Sequence, residues 1–206
     1  MKALPLLAAV AGLAAAAPAS APPRLAGCPV FPASNPWNQR VDRLPVAADS
    51  ATIVASIGRD ASLHADFGSG LWQGAPIGIP YDVVTRTTPR SRVVFDYADE
   101  SDRGSYPIPA RVHVEGGGDR HALLVDRSSC RLYELYALRK KGSRWYAGSG
   151  AIWSLSSNVL RPAGWTSADA AGLPILPGLA RYDEVARGVI DHALRFTVAQ
   201  TRRAYV

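Results

Sequence analysis

Lysine, glutamate, methionine and cysteine are scarce in this chain of 206 residues. Of the 23 basic residues, three are lysines (Lys2, Lys140 and Lys141) and the rest are arginines. The two cysteines lack the spacing of a metal-binding cluster. Beyond the N-terminus, no hydrophobic run approaches the roughly 20 residues that a membrane helix needs. These absences exclude a membrane bundle, and the composition also excludes a coiled coil and a disordered tail.

The residues that are abundant favour a folded, β-rich protein. Hydrophobic residues make up 48% of the chain and charged residues 19%, which is enough apolar material for a core. The 18 glycines and 16 prolines are more than a helical bundle usually contains. The length suits one domain better than two.

The net charge of +6 does not by itself indicate a nucleic-acid partner. The arginines are dispersed and interleaved with acidic residues, whereas nucleic-acid-binding proteins usually carry a basic stripe or patch. The clusters are Arg139-Lys140-Lys141 and Arg202-Arg203, and short segments of this kind are usually solvated. We therefore expect no nucleic-acid partner.

The N-terminus has the pattern of an export signal. Met1 and Lys2 precede an apolar run from Ala3 to Ala17, and small residues follow at Ala19 and Ala21. This pattern predicts a signal peptide over residues 1–21 and a secreted or periplasmic protein without a transmembrane segment. The alternative is a lipoprotein anchored through Cys28, because residues 25–28 read Leu-Ala-Gly-Cys. Against it, two prolines and an arginine separate these residues from the apolar run.

Cys28 and Cys130 are the two cysteines of the chain. Outside the cytoplasm, two such residues most simply form a disulfide. This bond would close a loop of about a hundred residues, which the chain-entropy model values at ~4–5 kcal/mol. The alternatives are a lipidated Cys28 with a free Cys130, or a nucleophilic Cys130.

Short strand-like runs separated by turns dominate the rest of the sequence. The pattern predicts an arm over residues 22–60 with one helix over residues 51–57, which Asp49-Ser50 cap and Gly58 ends. Residues 61–206 are predicted to form a β-rich domain. The fold class is mainly β, an antiparallel β-sandwich or barrel with long irregular loops and a few short helices, and we expect a monomer. The expected strands are Tyr81–Thr85, Arg92–Tyr97, Arg111–Glu115, Ala122–Asp126, Leu132–Leu138, Trp145–Ala147 and Ala193–Val198.

Several longer segments have distinctive amino-acid sequences. They are NPWN at 35–38, HALLVD at 121–126, CRLYELY at 130–136, AGSGAIW at 147–153, NVLRPAGWTSADAAGLPILPGL at 158–179, RYDEV at 181–185 and HALRFT at 192–197. In these segments the chain resembles a family of secreted bacterial proteins of uncharacterised function. The resemblance implies export but no named activity. Members of that family look longer, so the resemblance also implies that the β-rich domain is truncated at its C-terminus.

Four carboxylates are candidates for catalysis. Glu134 shares a strand face with Leu132 and Tyr136, and burial there would raise its pKa towards that of a general acid. The alternative is a solvated outer face. Asp183 and Glu184 begin a short helical turn that ends at Gly188, where acidic side chains often only cap the helix. Asp169 lies three residues after Thr166, so it also has a capping interpretation.

These carboxylates together indicate a possible site for glycosidic cleavage, which needs two carboxyl groups beside the scissile bond. The predicted catalytic residues are Glu134, Asp169, Asp183 and Glu184. Aromatic rings suit sugar rings, and an arginine suits a hydroxyl or an acidic sugar. The predicted substrate-binding residues are Trp153, Arg161, Trp165 and Tyr182. The leading hypothesis is a glycoside hydrolase acting on extracellular or cell-envelope polysaccharide. The alternative is a non-catalytic polysaccharide-binding or envelope-structural module.

Other chemistries have weaker support. His113, His121 and Glu115 near Asp119 lack an assured third ligand, so we predict no metal and no cofactor. Gly148-Ser149-Gly150 lacks the five-residue frame of a nucleophile elbow and predicts a bulge or bend instead.

Overall fold

A computed structural model describes residues 21–64, 67–68, 70–72 and 74–199. The predicted signal peptide lies almost wholly outside this part, as do Arg202 and Arg203. The strands of the described part are β1 (Arg24–Leu25), β2 (Cys28–Pro29), β3 (Leu71–Trp72), β4 (Ala75–Pro76), β5 (Tyr81–Val84), β6 (Arg90–Phe95), β7 (Ser105–Pro107), β8 (Ala122–Asp126), β9 (Arg131–Leu135), β10 (Arg139–Lys141), β11 (Arg144–Ala147) and β12 (Gly150–Ser154).

Two four-stranded sheets form the centre of the fold. The inner sheet has the order β12-β9-β8-β5, and the outer sheet has the order β10-β11-β6-β7. β5 pairs with β8 and β6 pairs with β11 in parallel, whereas the other neighbours are antiparallel. The mainly β prediction is confirmed, with mixed sheets instead of purely antiparallel ones and no closed barrel among the described residues.

One hydrophobic core lies between the two sheets. Leu124 and Leu135 of the inner sheet are fully buried there, and Val93 and Phe95 of the outer sheet pack against the same cluster. Tyr106 of β7 is also fully buried, and its ring centroid lies 5.6 Å from those of both Phe95 and Tyr133. This chain of rings joins the two sheets.

The second core lies on the opposite face of the inner sheet. Leu123, Leu132 and Trp153 project to this face, because side chains alternate along a strand. The N-terminal arm covers them with Val30 and Phe31, and the segment 155–179 covers them with Leu155, Ile175 and Leu176. Strands β8 and β9 are therefore buried on both faces, which explains why all five residues of β8 are buried.

A disulfide between Cys28 and Cys130 connects the arm to the β8–β9 turn, as the sequence predicts. The Cα atoms are 5.4 Å apart and the sequence separation is 102 residues. Lipidation of Cys28 and a nucleophilic Cys130 are incompatible with this bond, because neither sulfur is then free.

Two α-helices are short. α1 (Ser50–Ile57) begins after Asp49 and ends before Gly58, as predicted, although the Asp49 side chain makes no capping hydrogen bond. It buries none of its residues, and all of residues 39–64 except Ser50 are exposed. α2 (Tyr182–Arg187) ends at Gly188, whose φ of +74° is left-handed and therefore suits glycine.

Two of the predicted strands are wrong, because neither Arg111–Glu115 nor Ala193–Val198 forms a strand. In Arg111–Glu115, the backbone N–H of His113 donates to the side chain of Asp82 at 2.9 Å and not to a neighbouring strand. In Ala193–Val198, Ala193 and Arg195 donate to two different segments, at Trp37 and Gly178. Neither segment therefore forms a continuous ladder. The other five predicted strands exist with shifted ends, except Ala122–Asp126, whose limits are as predicted.

Gly150 leaves space where the inner sheet meets the outer one. A Cβ atom at this position would lie 2.6 Å from ring atoms of Phe95 and 2.6 Å from the Tyr106 hydroxyl. We expect Gly150→Ala to lower the free energy of unfolding by about 1–3 kcal/mol, the usual cost of overpacking a core. Urea unfolding followed by tryptophan fluorescence measures this change.

Gly118→Ala is the matched control. A Cβ there meets nothing within 4 Å, so its free energy of unfolding should change by less than about 0.5 kcal/mol. Equal stability of the two variants would contradict the close contact at Gly150.

Candidate functional site

The first cleft, the tryptophan cleft, has a volume of about 280 Å³. The arm forms one wall, and the segments 153–165 and 171–174 form the others. Its aromatic lining consists of Phe31, Trp37, Trp153 and Trp165, and Asn35 and Asn158 supply amides. Trp37 and Trp165 are each half-buried, so part of each ring faces the solvent.

Local sequence fixes the position of Trp37. A 3-10 helix over Pro36–Asn38 begins at Asn35, whose side-chain oxygen accepts the backbone N–H of Trp37 at 3.1 Å. Pro36 suits the first helical position because its φ is already helical. The ring of Trp37 lies directly on Gly178, where a Cβ would be 2.8 Å from a ring carbon.

The second cleft, the arginine cleft, has a volume of about 450 Å³. It shares Trp153, Ser157 and residues 159–162 with the tryptophan cleft. Its other lining residues are Asp102, Arg103, Arg131, Ile152 and Ser154. The two clefts therefore adjoin along the loop that follows β12.

The edge strand β12 separates the two clefts. Successive strand residues point to opposite faces, so Trp153 faces the arm while Ile152 and Ser154 face the other way. The loop before β7 covers the free edge. Ile152 donates its backbone N–H to the Asp102 carboxylate at 2.8 Å, and Gly150 donates to the Ser101 hydroxyl at 3.2 Å. These bonds satisfy backbone groups that an edge strand would otherwise expose.

Arg161 lies between two indole rings. Its guanidinium carbon is 5.6 Å from the ring centroid of Trp153 and 5.4 Å from that of Trp165, which is cation–π distance. Each of its three nitrogens donates within the protein, to Thr166 O, the Asp102 carboxylate and Glu100 O. With its side chain only 5% exposed, Arg161 positions the two tryptophans. This arrangement does not leave it free for the predicted contact with a sugar.

Glu134 is completely buried beneath the tryptophan cleft and lines neither cleft. Its carboxylate accepts the backbone N–H groups of Ile175 and Leu176, each at 2.9 Å. It also accepts the indole N–H of Trp153 at 3.2 Å. Burial raises the pKa of Glu134 to about 7, while the three donors act in the opposite direction. Of the two positions that the sequence leaves open for Glu134, the structure has the buried one and not the solvated outer face.

The remaining predicted carboxylates also lie outside the lining of the two clefts. Asp169 accepts a hydrogen bond from Arg195 at 3.0 Å and one from the backbone of Ala171 at 3.3 Å. It begins no helix, so its predicted capping-box position is wrong, and Thr166 instead donates to Glu100.

Asp183 and Glu184 belong to the first turn of α2. Glu184 is fully buried, pairs with Arg181 and accepts from His192 Nε2 at 3.1 Å. It also accepts the backbone N–H of Arg181 at 3.3 Å, which is the predicted capping role. Asp183 is exposed, and Tyr182 is 88% exposed and lines neither cleft.

The structure thus brings together Trp153, Arg161 and Trp165 from the predicted set, but not the four carboxylates. Among the described residues that line the clefts, the carboxylate is Asp102, which pairs with Arg161. Sequence reasoning missed Trp37, Arg103 and Arg131 as lining residues. The distinctive sequence of residues 35–38 was the signal that could have indicated Trp37. No sequence pattern relates Arg103 to Arg131.

The histidines considered as metal ligands form two separate pairs. His113 contacts Asp82 at 2.6 Å, and His121 Nδ1 contacts Glu115 at 2.5 Å. No group of three potential ligands occurs in the described part of the chain. Gly148-Ser149-Gly150 makes a bend between β11 and β12, as predicted.

Both ring nitrogens of His121 face acceptors, since Nε2 lies 3.0 Å from the carbonyl of Ala168. Burial alone lowers the pKa of His121, but the bonds to Glu115 and Ala168 outweigh it, so the pKa is raised above its usual value. Burial acts to raise the pKa of Glu115, but His121 outweighs it and lowers that pKa. A charged pair is the consistent state, and it fastens β8 to the 166–173 segment.

Comparisons with known proteins give no match: no family model fits the chain, and neither a curated protein nor a solved structure is similar to it. The resemblance to secreted bacterial proteins therefore stays a prediction. The geometry of the two clefts is the basis for assigning a function.

The His121 pair makes stability depend on pH. Because the folded pKa is raised, its contribution is complete below the unfolded value of about 6.5 and is lost as the pH rises through the folded value. We expect the stability difference between the wild type and His121→Gln to shrink as the pH rises from 6 to 9. Urea unfolding at each pH measures it, and a constant difference would contradict the charged pair.

Glu134 should behave as a structural residue. In Glu134→Gln one oxygen becomes an amide N–H, which leaves the indole N–H of Trp153 without its acceptor. We expect a loss of about 1–3 kcal/mol in the free energy of unfolding. Asp99→Asn, on an exposed carboxylate without a partner among the described residues, should change it by less than about 0.5 kcal/mol. Chemical denaturation at pH 7 compares the two variants with the wild type. A Glu134→Gln protein of wild-type stability would refute the structural role of Glu134.

Proposed function

We propose that the protein is an exported carbohydrate-binding protein that holds an extracellular glycan in the tryptophan cleft. The observation that carries this proposal is that Trp37 of the arm meets Trp153 and Trp165, more than a hundred residues further along the sequence, around one cleft. Binding sites for small ligands are typically concave and apolar with a few polar groups that fix orientation. A sugar ring suits such a site because its C–H faces are apolar while its hydroxyls are polar.

Polar groups at the rim can meet those hydroxyls. Asn35 donates one amide N–H to Asn158 at 2.9 Å, and Asn158 donates one to Ser34 at 3.0 Å. Each amide nitrogen carries two hydrogens, so the exposed Asn158 retains one for a ligand, whereas Asn35 is buried and holds Asn158 in place. These amides are fixed by their mutual bond, which reduces the entropy that binding would cost.

The cleft is also held in place from below and from the side. The Glu134 carboxylate fixes Trp153 and residues 175–176, and the Arg161 guanidinium fixes the spacing of Trp153 and Trp165. The disulfide fixes the arm that carries Trp37. A preorganised site of this kind supports a binding role.

Binding is better supported than hydrolysis. Glycosidic cleavage by the usual route needs two carboxyl groups beside the bond. The lining of the two clefts contains the Asp102 carboxylate, which pairs with Arg161 and accepts a backbone N–H. Glu134, Asp169, Asp183 and Glu184 are engaged elsewhere, so the paired-carboxylate hypothesis lacks its essential geometry.

Two independent features, the N-terminal sequence and the disulfide, support export. The first residues have the pattern of a signal peptide. The structure contains the Cys28–Cys130 disulfide, and disulfides persist mainly outside the cytoplasm. Within the described residues, no helix is long and apolar enough to cross a membrane.

Trp165→Ala tests the proposed binding site. We expect it to weaken glycan binding about tenfold or more, since buried aromatic residues often dominate binding energy. Trp72→Ala is the matched control, because Trp72 is 69% exposed and lies outside both clefts. Isothermal titration with neutral and acidic oligosaccharides measures affinity, and circular dichroism checks that each variant is folded.

The same samples are assayed for new reducing ends. The proposal is supported if the protein binds a glycan without releasing sugar from it, and if this binding is weakened in Trp165→Ala and unchanged in Trp72→Ala. Release of sugar would overturn the non-catalytic reading, and no binding to any glycan of the panel would overturn the proposal as a whole.

A further inference from the structure

We infer that the glycan is acidic, and that Arg103 and Arg131 in the arginine cleft bind its anionic groups. The inference rests on the proposed function and names the chemical class of its ligand. The recognised group is a carboxylate or a sulfate ester on a sugar residue, since both are planar or multidentate anions that a guanidinium binds well.

The charge of the arginine cleft is unbalanced. Asp102 and Arg161 pair with one another, and so their charges offset each other. Arg103 and Arg131 have no hydrogen-bond, ion-pair or ring partner among the described residues. Two positive charges therefore remain in a cleft of about 450 Å³. An anionic ligand is the natural complement, because it would supply the missing partners.

The fold places these two arginines on a common side of β12. Arg131 begins β9 and lies directly opposite Ser154 of β12, so the two side chains share a sheet face. Arg103 follows Asp102, which is fixed to the edge of β12 through Ile152. The Ser154 hydroxyl also has no partner among the described residues and adds a neutral donor beside the arginines. The site thus combines charge with hydroxyl recognition.

The two clefts can serve one extended ligand. They share Trp153 and residues 159–162, so a chain that crosses this loop would contact both. One sugar residue would occupy the tryptophan cleft, and a neighbouring residue would direct its anionic group to Arg103 and Arg131. The exposed side chain of Leu160 lines both clefts and lies at the crossing.

This arrangement changes the role that sequence reasoning gives to Arg161. That residue is committed to the protein, whereas Arg103 and Arg131 are exposed and unpaired. Acidic-sugar recognition therefore moves to a pair of arginines that are 28 positions apart in the chain.

The test compares three oligosaccharides of equal length: an oligogalacturonate, a sulfated neutral-sugar oligomer and an unmodified cello-oligosaccharide. Polyglutamate is the anionic probe without sugar. The variant is Arg103→Gln/Arg131→Gln, and the matched control is Arg111→Gln/Arg144→Gln, which removes two exposed arginines outside the clefts. Affinities are measured by isothermal titration at low and at high salt.

We expect one or both acidic oligosaccharides to bind roughly tenfold or more tightly than the neutral one, with the preference lost in Arg103→Gln/Arg131→Gln and kept in the control. Raising the salt concentration should reduce this preference. The oligogalacturonate and sulfated arms distinguish carboxylate from sulfate recognition.

Two other results would overturn the inference while the proposed function stands. One is equal binding of neutral and acidic oligosaccharides, and the other is an acidic preference that Arg103→Gln/Arg131→Gln retains. Binding of polyglutamate as tight as that of the acidic glycans would overturn it as well, because charge alone would then suffice. Failure of every oligosaccharide to bind would overturn the proposed function together with this inference.

Discussion

The buried carboxylate of Glu134 joins three parts of the chain that are distant in sequence. It belongs to β9, accepts the indole N–H of Trp153 in β12, and accepts two backbone N–H groups at the start of the 3-10 helix Leu176–Gly178. An unpaired buried carboxylate would be costly, and so would three unpaired donors. Because each group satisfies the others, these bonds hold the covering segment against the inner sheet, and residues 171–174 of that segment form part of the tryptophan cleft.

A second set of polar contacts organises the opposite side of β12. The loop before β7 covers the edge strand through Ser101 and Asp102, and Asp102 then pairs with Arg161. Arg161 in turn lies over both Trp153 and Trp165. The contacts that cover the sheet edge therefore also set the spacing of the Trp153 and Trp165 rings, which line the tryptophan cleft. The arginines of the arginine cleft differ accordingly, since the side chain of Arg161 is internal whereas Arg103 and Arg131 are exposed.

Local signals in the sequence were sufficient for some elements and insufficient for others. α1 was predicted to within a residue because Asp49-Ser50 and Gly58 mark its ends locally, and β8 because a run of four apolar residues, Ala122–Val125, is followed by Asp126 and a polar turn. Arg111–Glu115 looks equally strand-like, but the bond from His113 to Asp82 is a long-range contact that no local pattern reveals. The same limit applies to the site. The alternation of β9 correctly indicated that Glu134 shares a face with Leu132, but its three donors come from elsewhere in the chain.

The exposed stretch from residue 39 to residue 64 follows the part of the arm that packs on the inner sheet, and it lies inside the loop that the disulfide closes. It carries Arg40, Arg43 and Arg59 and contributes no residue to either core. A protease that cuts at any of these arginines would convert the protein into two polypeptides that remain covalently joined through Cys28 and Cys130. The arm, with Trp37, would stay seated on the inner sheet. Nicking would therefore be visible only after reduction, and a nicked molecule would keep its tryptophan cleft.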